Sequence, residues 1–352
     1  MTSRGGRTSE QLRGVQVLDV GIWRPAPYAA QLLAELGASV TKVEPPGGDP
    51  MRAFPSLYAN LNGRKTVLEL DLKSDGGQSA VLALLAEADV VIEGFRPGVA
   101  SRLGVGAAEA SAANPRVIHC SISGFGQDGP LSGVSGHDLN FQAWSGVLGA
   151  RAPESTVSGV PIADLAGGAF AAMAISAALA RRGIVGIDQY DGEHIDVSMA
   201  DVLVSWAGPE AGGSLADGDE PGANFPAYGT FACLDGSITL GIVTEDRFWR
   251  DLCATLDLGR DSAGLDVAGL DVAGLDVAGR AAHGPSLRAH LAAILAGRRR
   301  DDVVDVLLPL GVPVAPVLSR VEALEVDHFT ERGTVHRDEN GHVIGHPVHF
   351  RG

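Results

Sequence analysis

An α/β fold is predicted: a large domain built on a doubly wound, mainly parallel sheet, followed by a smaller α+β domain. Three observations predict it. Short apolar runs alternate with segments of helical spacing as far as residue 207, the pattern of strand–helix–strand units in a parallel sheet. From 208 to 227 the composition turns glycine-, proline- and acid-rich ("PEAGGSLADGDEPGANFPA"), as a linker or mobile loop does. Beyond it a hairpin signal replaces the alternation. The small domain is expected over 228–318 and a C-terminal segment over 319–352.

The elements follow in order. "VQVLDVG" (Val15–Gly21) is a short apolar run of buried-strand type, and "PYAAQLLAELG" after it has helical spacing with a closing glycine. "SVTKVEPPGGDP" is a strand ended by a proline–glycine turn, and "KTVLELDL" alternates as a half-exposed strand. "GGQSAVLALLAEA" reads as a helix, "DVVIEGF" and "RVIHCSISGFG" as strands. In the small domain "YGTFACLDGSITLGIV" is a hairpin with Asp235-Gly236 at its turn, and "EDRFWRDLCATL" is a helix. From Ala263 the five residues AGLDV occur three times in succession. Three units are too few for a solenoid, so loop expansion is the stronger reading and no function is assigned.

Bulk properties exclude several classes. A chain of 352 residues, 45% hydrophobic and 20% charged, has ample material for packed cores. A net charge of -16 argues against nucleic acid or an anionic membrane as partner. Cys120, Cys233 and Cys253 are widely spaced, which suggests neither a zinc site nor a disulfide framework, and no metal is expected. The N-terminal residues lack the apolar core of a secretory signal, and no apolar run is expected to reach the length of a membrane span. A cytoplasmic location follows as an expectation. The first strand–helix junction, "GIWRPAP", carries neither GxGxxG nor GxxxxGK[ST], so a standard dinucleotide or P-loop grip is not expected.

Chemistry is concentrated in two places. In "VSGVPIADLAGGAFAAMAISAALARR", Asp164 precedes an apolar helix that closes on Arg181 and Arg182. Helix capping would explain it; so would catalysis, because a helix start can stabilise a developing oxyanion. Gly167 and Gly168 each cost roughly 1 kcal/mol against alanine in a helix, which suggests a close approach to the backbone. In "SGHDLNFQAWSG", His137 stands beside Asp138, its orienting partner or a cap. An isolated histidine is more often packed than catalytic. Paired with Asp164, it would give two bases of different type at one carbon.

These segments together resemble the class III coenzyme A transferase superfamily (CaiB/BaiF type), which includes formyl-CoA and carnitine CoA-transferases and α-methylacyl-CoA racemases. The resemblance runs from about Gly14 to Leu324, through "LNGRKTVLELDLKSDGG", "DVVIEGFRPGVASRLGVG", "SGHDLN…GVPIADLAGG", "YGTFACLDGSITLGIVTEDRFW" and "GVPVAPVLSRVEAL". It implies an interlaced homodimer, with the C-terminal segment returning to the large domain, and an acyl-CoA thioester as substrate, with coenzyme A as carrier and no other cofactor. Trp23, Arg24, Leu70, Lys73, Gly94, Phe95 and Arg102 then fall at the CoA contacts. Lys73 and Arg102 suit the phosphates, although as isolated residues they read as solvated surface charges. Trp23 and Arg24 stand where the family has smaller or neutral residues.

The resemblance implies two chemistries at Asp164. In the racemases it is one of two bases, the other being the histidine of GHDxN, here His137. Gly167 and Gly168 would then support the enolate oxygen, and Glu245 in "VTEDRF" maps to the family's supporting acid. In the transferases Asp164 is a nucleophile that carries the acyl group as an anhydride. The racemase is the leading reading and the transferase the alternative. A non-catalytic CoA-binding protein is the third.

Overall fold

The computed structural model describes residues 10–148, 159–207, 225–259, 270–338 and 341–348. The chain forms two compact units, Met1–Gly208 with Asp327–Gly352, and Pro209–Val326.

The first unit runs β1 (Gln16–Asp19), α1 (Pro25–Glu35), β2 (Ser39–Glu44), α2 (Pro55–Asn62), β3 (Thr66–Glu69), α3 (Asp75–Glu87), β4 (Val90–Glu93), α4 (Val99–Arg102), α5 (Ala107–Ala113), β5 (Ile118–Ser123), α6 (Asp138–Trp144), α7 (Ile162–Val185), β6 (Glu193–Ser198) and α8 (Met199–Ala207). The six strands form one sheet in the order β3-β2-β1-β4-β5-β6, and each pair is parallel. The predicted α/β class and its parallel sheet are therefore observed. Both faces are covered, because successive strand residues point to opposite sides. Val17, Val90 and Ile92 pack with α1 and α7 in one core. Leu18 and Val91 pack with α3 and α5 in another.

Helix α7 revises one expectation. It is 24 residues long, and an 18-residue stretch of it has a mean hydropathy of 1.7, long and apolar enough to cross a membrane. Here it serves as a core helix, with Ala163, Ala166, Ala171, Ile175 and Ala178 buried in the core it shares with α1. Small side chains let it lie close to that neighbour, so its apolar character is a packing requirement.

The second unit has β7 (Tyr228–Cys233), β8 (Gly236–Gly241), α9 (Asp246–Leu256), α10 (Val277–Ala282), α11 (Gly284–Ala296), α12 (Arg300–Leu307), β9 (Val314–Pro316) and α13 (Arg320–Leu324). Strands β7, β8 and β9 form an antiparallel sheet over a core centred on Trp249, Leu252, Ile238 and Leu291. The hairpin turn is Leu234-Asp235, one residue earlier than expected, since Gly236 already pairs with Cys233. The chain leaves this unit at Asp327 rather than at 319. Val317 N–H still bonds Ser237 O at 2.8 Å, and Arg300 holds Glu322 at 3.0 Å. Helix α14 (Asp327–Glu331) and the antiparallel pair β10 (Val335–Asp338) and β11 (Gly341–Ile344) then belong to the first unit.

The end of the AGLDV repeat is ordered into capped turns. Asp271 accepts from Gly274 N–H at 3.1 Å, and Asp276, five residues on, from Gly279 N–H at 2.8 Å. Val272 is buried, and its carbonyl accepts from Trp249 Nε1 at 2.8 Å. The acidic loop Asp217–Glu220 and the repeat before Leu270 lie outside the described residues.

Candidate active site

In the first unit β1 and β4 are neighbours whose outgoing helices, α1 and α4/α5, lie on opposite faces. Ligands of such sheets bind beyond the carboxyl ends of the strands at this switch point. The turn after β1 is held from beneath by four buried charges. Lys42 Nζ donates to Gly21 O at 2.6 Å and lies 3.1 Å from Asp49 and 3.9 Å from Asp19. Lys65 Nζ donates to Asp19 at 2.9 Å, to Pro27 O at 2.8 Å and to Asn62 at 2.9 Å. Burial alone would raise the Asp19 carboxyl, but Lys42 and Lys65 outweigh it and hold it below the usual value. Burial pulls the Lys65 ammonium down against the pull of Asp19.

This network fixes Trp23 in an unusual state. Its φ of 63° lies in the left-handed region, which costs an L-residue roughly 1–2 kcal/mol. Its N–H donates to Asp49 Oδ1 at 3.2 Å. Its ring meets that of His137 edge-on, with centroids 6.3 Å apart and planes at 82°.

The segment after β5 explains each residue of GHDLN. Gly136 lies against the Phe141 ring, 2.8 Å from where a Cβ would stand. His137 occupies the N-cap of α6, and its N–H donates to Asn140 Oδ1 at 3.0 Å. Its imidazole is exposed. Asp138 reaches a different helix: Oδ1 accepts from Ala163 N–H at 2.7 Å and Asp164 N–H at 3.3 Å, and Oδ2 accepts from Gln142. Asp138 is thus the side-chain acceptor at the start of α7. Asp164 does not precede that helix but sits inside its first turn.

His137, Asp164, Trp23 and Arg24 line one cleft of about 290 Å³. Met51, Phe54 and Leu57 supply its apolar wall. The Asp164 carboxyl is pushed up to about 7, by burial first and by the Asp138 charge second, with Arg24 pulling the other way. The helix dipole favours the ionised form at this position, but these two effects prevail. A carboxyl titrating near neutrality beside an imidazole can both take and give a proton.

Gly167 and Gly168 need a correction. Both lie in the second turn of α7, where each N–H is engaged with the carbonyl four residues back, so neither is placed to support an oxyanion. They are packing residues. A Cβ on Gly167 would stand 2.6 Å from the Met199 side chain, and one on Gly168 2.7 Å from Pro25 O. This close approach brings the start of α7 to the start of α1.

The remaining expected contacts gather at the ends of β3 and β4. Leu70 follows β3, its N–H bonded to Glu44 O at 2.9 Å, and packs on the same core as Phe95. Gly94 follows β4, where a Cβ would lie 3.3 Å from Ala26. Phe95 N–H donates to Glu93 at 2.6 Å. Lys73 and Arg102 are exposed, Lys73 with its N–H on Asp71 at 3.0 Å. Glu245 belongs to the second unit and caps the loop before α9. It accepts from Val243 and Thr244 N–H at 2.9 and 3.0 Å, bonds that hold its carboxyl below the usual range. The charged network and the apolar wall had not been anticipated. One signal was available: Asp49 before Pro50 is a helix-start pair, and Asp49 does cap the 3₁₀ turn that carries Met51.

Comparison with known proteins gives the family. The family model of CoA-transferase family III matches residues 12–352. The acetyl-CoA:oxalate CoA-transferase of Acetobacter aceti is 32% identical, over 96% of this chain and 89% of that protein. Human alpha-methylacyl-CoA racemase is 30% identical, over 96% of this chain and 85% of that one. A CAIB/BAIF family protein from Brucella suis superposes with a TM-score of 0.82 at 28% identity, covering 96% of this chain and 92% of its own. The chain belongs to CoA-transferase family III.

Proposed function

We propose that this family III enzyme is an acyl-CoA racemase or epimerase that moves a proton between the two faces of the α-carbon. The observation that carries the reading is His137 and Asp164 on one cleft. The thioester acidifies the α-proton. His137 removes it, the charge passes to the enolate oxygen, and Asp164, protonated near neutral pH, returns a proton to the opposite face. The reverse reaction exchanges the roles. The first turn of α7 contributes Asp164 to the lining, and its dipole lowers the cost of the enolate charge. Lys73 and Arg102 would take the CoA phosphates, with Leu70, Gly94, Phe95 and Trp23 along the carrier. No further cofactor enters this chemistry. The proposal includes a homodimer, which light scattering would read, and a cytoplasmic location.

The similarity to the acetyl-CoA:oxalate CoA-transferase favours a second reading. There the Asp164 carboxylate attacks the thioester carbonyl and CoA leaves as thiolate. The thiolate reattacks the anhydride at the Asp164 carbonyl, releasing the first acid and leaving an aspartyl-CoA thioester. An acceptor carboxylate displaces CoA to form a second anhydride, and the thiolate opens that one at the acceptor's carbonyl, giving the new thioester and freeing Asp164. Arg24, which pulls the Asp164 carboxyl toward its ionised form, supports that role.

One experiment separates the two. A panel of 2-methylacyl-CoA thioesters is incubated in D2O with and without acceptor acids, and the products are weighed by mass spectrometry. One deuteron gained at the α-carbon without acceptor supports the racemase. New thioesters formed only with acceptor, and no deuterium, would replace it with the transferase.

A further inference from the structure

We propose that Trp23 is a positioning residue for His137: its indole, directed by a left-handed backbone that Asp49 pins, holds the imidazole in the orientation that reaches the α-carbon. This deepens the racemase reading and rests on it.

Trp23 and Asp257 are the residues other than glycine with a positive φ among the described residues. For a bulky side chain such a backbone is an outlier, whereas glycine adopts it freely. Outliers of this kind persist where the surroundings over-determine them, and they gather at functional sites. At Trp23 the determining group is one carboxylate. Asp49 is 1% exposed, and its Oδ1 accepts from Trp23 N–H at 3.2 Å and from Met51 N–H at 2.9 Å. Its own N–H donates to Glu44 at 3.0 Å, and Lys42 Nζ lies 3.1 Å from its Oδ2. With the Trp23 amide fixed in this way, rotation about N–Cα decides where the side chain points. At a φ of 63° the indole lines the cleft with His137 and Asp164.

The indole is not there for the sake of burial, since Trp23 stays 40% exposed. What it meets is the His137 ring, at 6.3 Å and 82°. That is the edge-to-face arrangement, within the attractive range of about 4.5–7 Å. His137 needs such a support. It is exposed, and its hydrogen bond to Asn140 engages the backbone N–H, which does nothing to orient the ring. A base must come within hydrogen-bond reach of its proton, and a misplacement of about 1 Å can cost about a hundredfold in rate. Asp164 is carried inside the first turn of α7 and does not depend on the indole. Trp23 therefore serves one face of the α-carbon.

The test follows washout of the α-deuteron, in H2O, from each epimer of an α-deuterated 2-methylacyl-CoA. It compares the wild-type full chain with Trp23→Gly and Trp23→Phe. Glycine accepts the left-handed backbone, so the first variant removes the ring without adding strain. The epimer that His137 serves is the one whose washout His137→Ala abolishes. On that epimer Trp23→Gly should lower kcat by about tenfold to a hundredfold, and Trp23→Phe should recover most of the loss. Washout from the other epimer should stay near wild type. A rise in KM with kcat unchanged overturns the assignment and makes Trp23 a contact of the carrier. Equal loss on both epimers also overturns it, as a general effect on the cleft.

NMR of histidine-labelled protein without substrate keeps the two ideas apart. Three-bond couplings of His137 should report one rotamer in the wild type and averaging in Trp23→Gly. That result with no washout from either epimer removes the racemase reading and leaves Trp23 its hold on His137. Washout from both epimers, with a ring equally mobile in the two proteins, overturns the Trp23 assignment alone. No washout and an equally mobile ring overturn both.

Discussion

Asp138 Oδ1 accepts hydrogen bonds from the Ala163 and Asp164 amides, at 2.7 and 3.3 Å, and so caps the helix that carries Asp164. The same carboxylate helps raise the Asp164 carboxyl to about 7. One residue therefore fixes both the position of the candidate base and its proton affinity.

Replacing Asp138 by Asn separates these effects. Asparagine still caps but removes the charge, so the Asp164 carboxyl should fall toward ordinary values. The pH–rate profile of α-deuterium exchange should shift its Asp164 limb below pH 7. Asp138→Ala should also lose about 1 kcal/mol of stability in urea.

Asp164→Asn should abolish racemisation while altering stability in a pH-dependent way. The folded carboxyl titrates above its ordinary value of 3.8, so between pH 4 and 7 the native state holds a proton that the unfolded chain has released. Wild-type stability contributed by this group is full below 3.8 and is lost as pH rises through about 7. The Asn variant lacks that loss. Its melting temperature relative to wild type should climb across this window and level off above it.

His137→Ala should lower racemisation by about 10²- to 10⁴-fold, the usual worth of a positioned base. If it exchanges as fast as wild type, the two-base mechanism is wrong.

Two glycines of α7 make a controlled pair. A Cβ on Gly168 meets Pro25 O at 2.7 Å and the Tyr28 ring at 2.9 Å, whereas one on Gly183 meets nothing within 4 Å. Gly168→Ala should cost about 1–3 kcal/mol, since backbone cannot yield. Gly183→Ala should gain up to about 1 kcal/mol from helix propensity. Urea denaturation reads both.

Lys42→Met should destabilise by about 3–5 kcal/mol, because Asp19 and Asp49 would be left buried with less compensation. Paired with a change of Asp49 to Asn, the loss should be smaller than the sum of the two.

The fold was legible because hydrophobic period marks strands and helices locally, and the parallel sheet follows from their alternation. His137 and Asp164 were legible through motif order. The placement of Asp164 within α7 was not, because the acceptor at that helix start lies 25 residues back from Ala163. Lys42 and Lys65 in sequence look like outward-facing strand residues. Only strand pairing brings Asp19 and Asp49 to them, and a buried lysine without such partners would be prohibitive. Gly167 and Gly168 did signal a close approach, but to Met199 and Pro25 rather than to a substrate.

The capped turns at Asp271 and Asp276 bear on how the AGLDV tract changes over generations. Each of these aspartates closes a turn with an amide three residues ahead, so the Asp271 bond reaches from one copy into the next. Every copy places a glycine three residues after the aspartate of the copy before it, so inserting or deleting a whole copy keeps that spacing. Of the described copies, one places its valine, Val272, against Trp249. The tract can vary in copy number while that single anchor is retained.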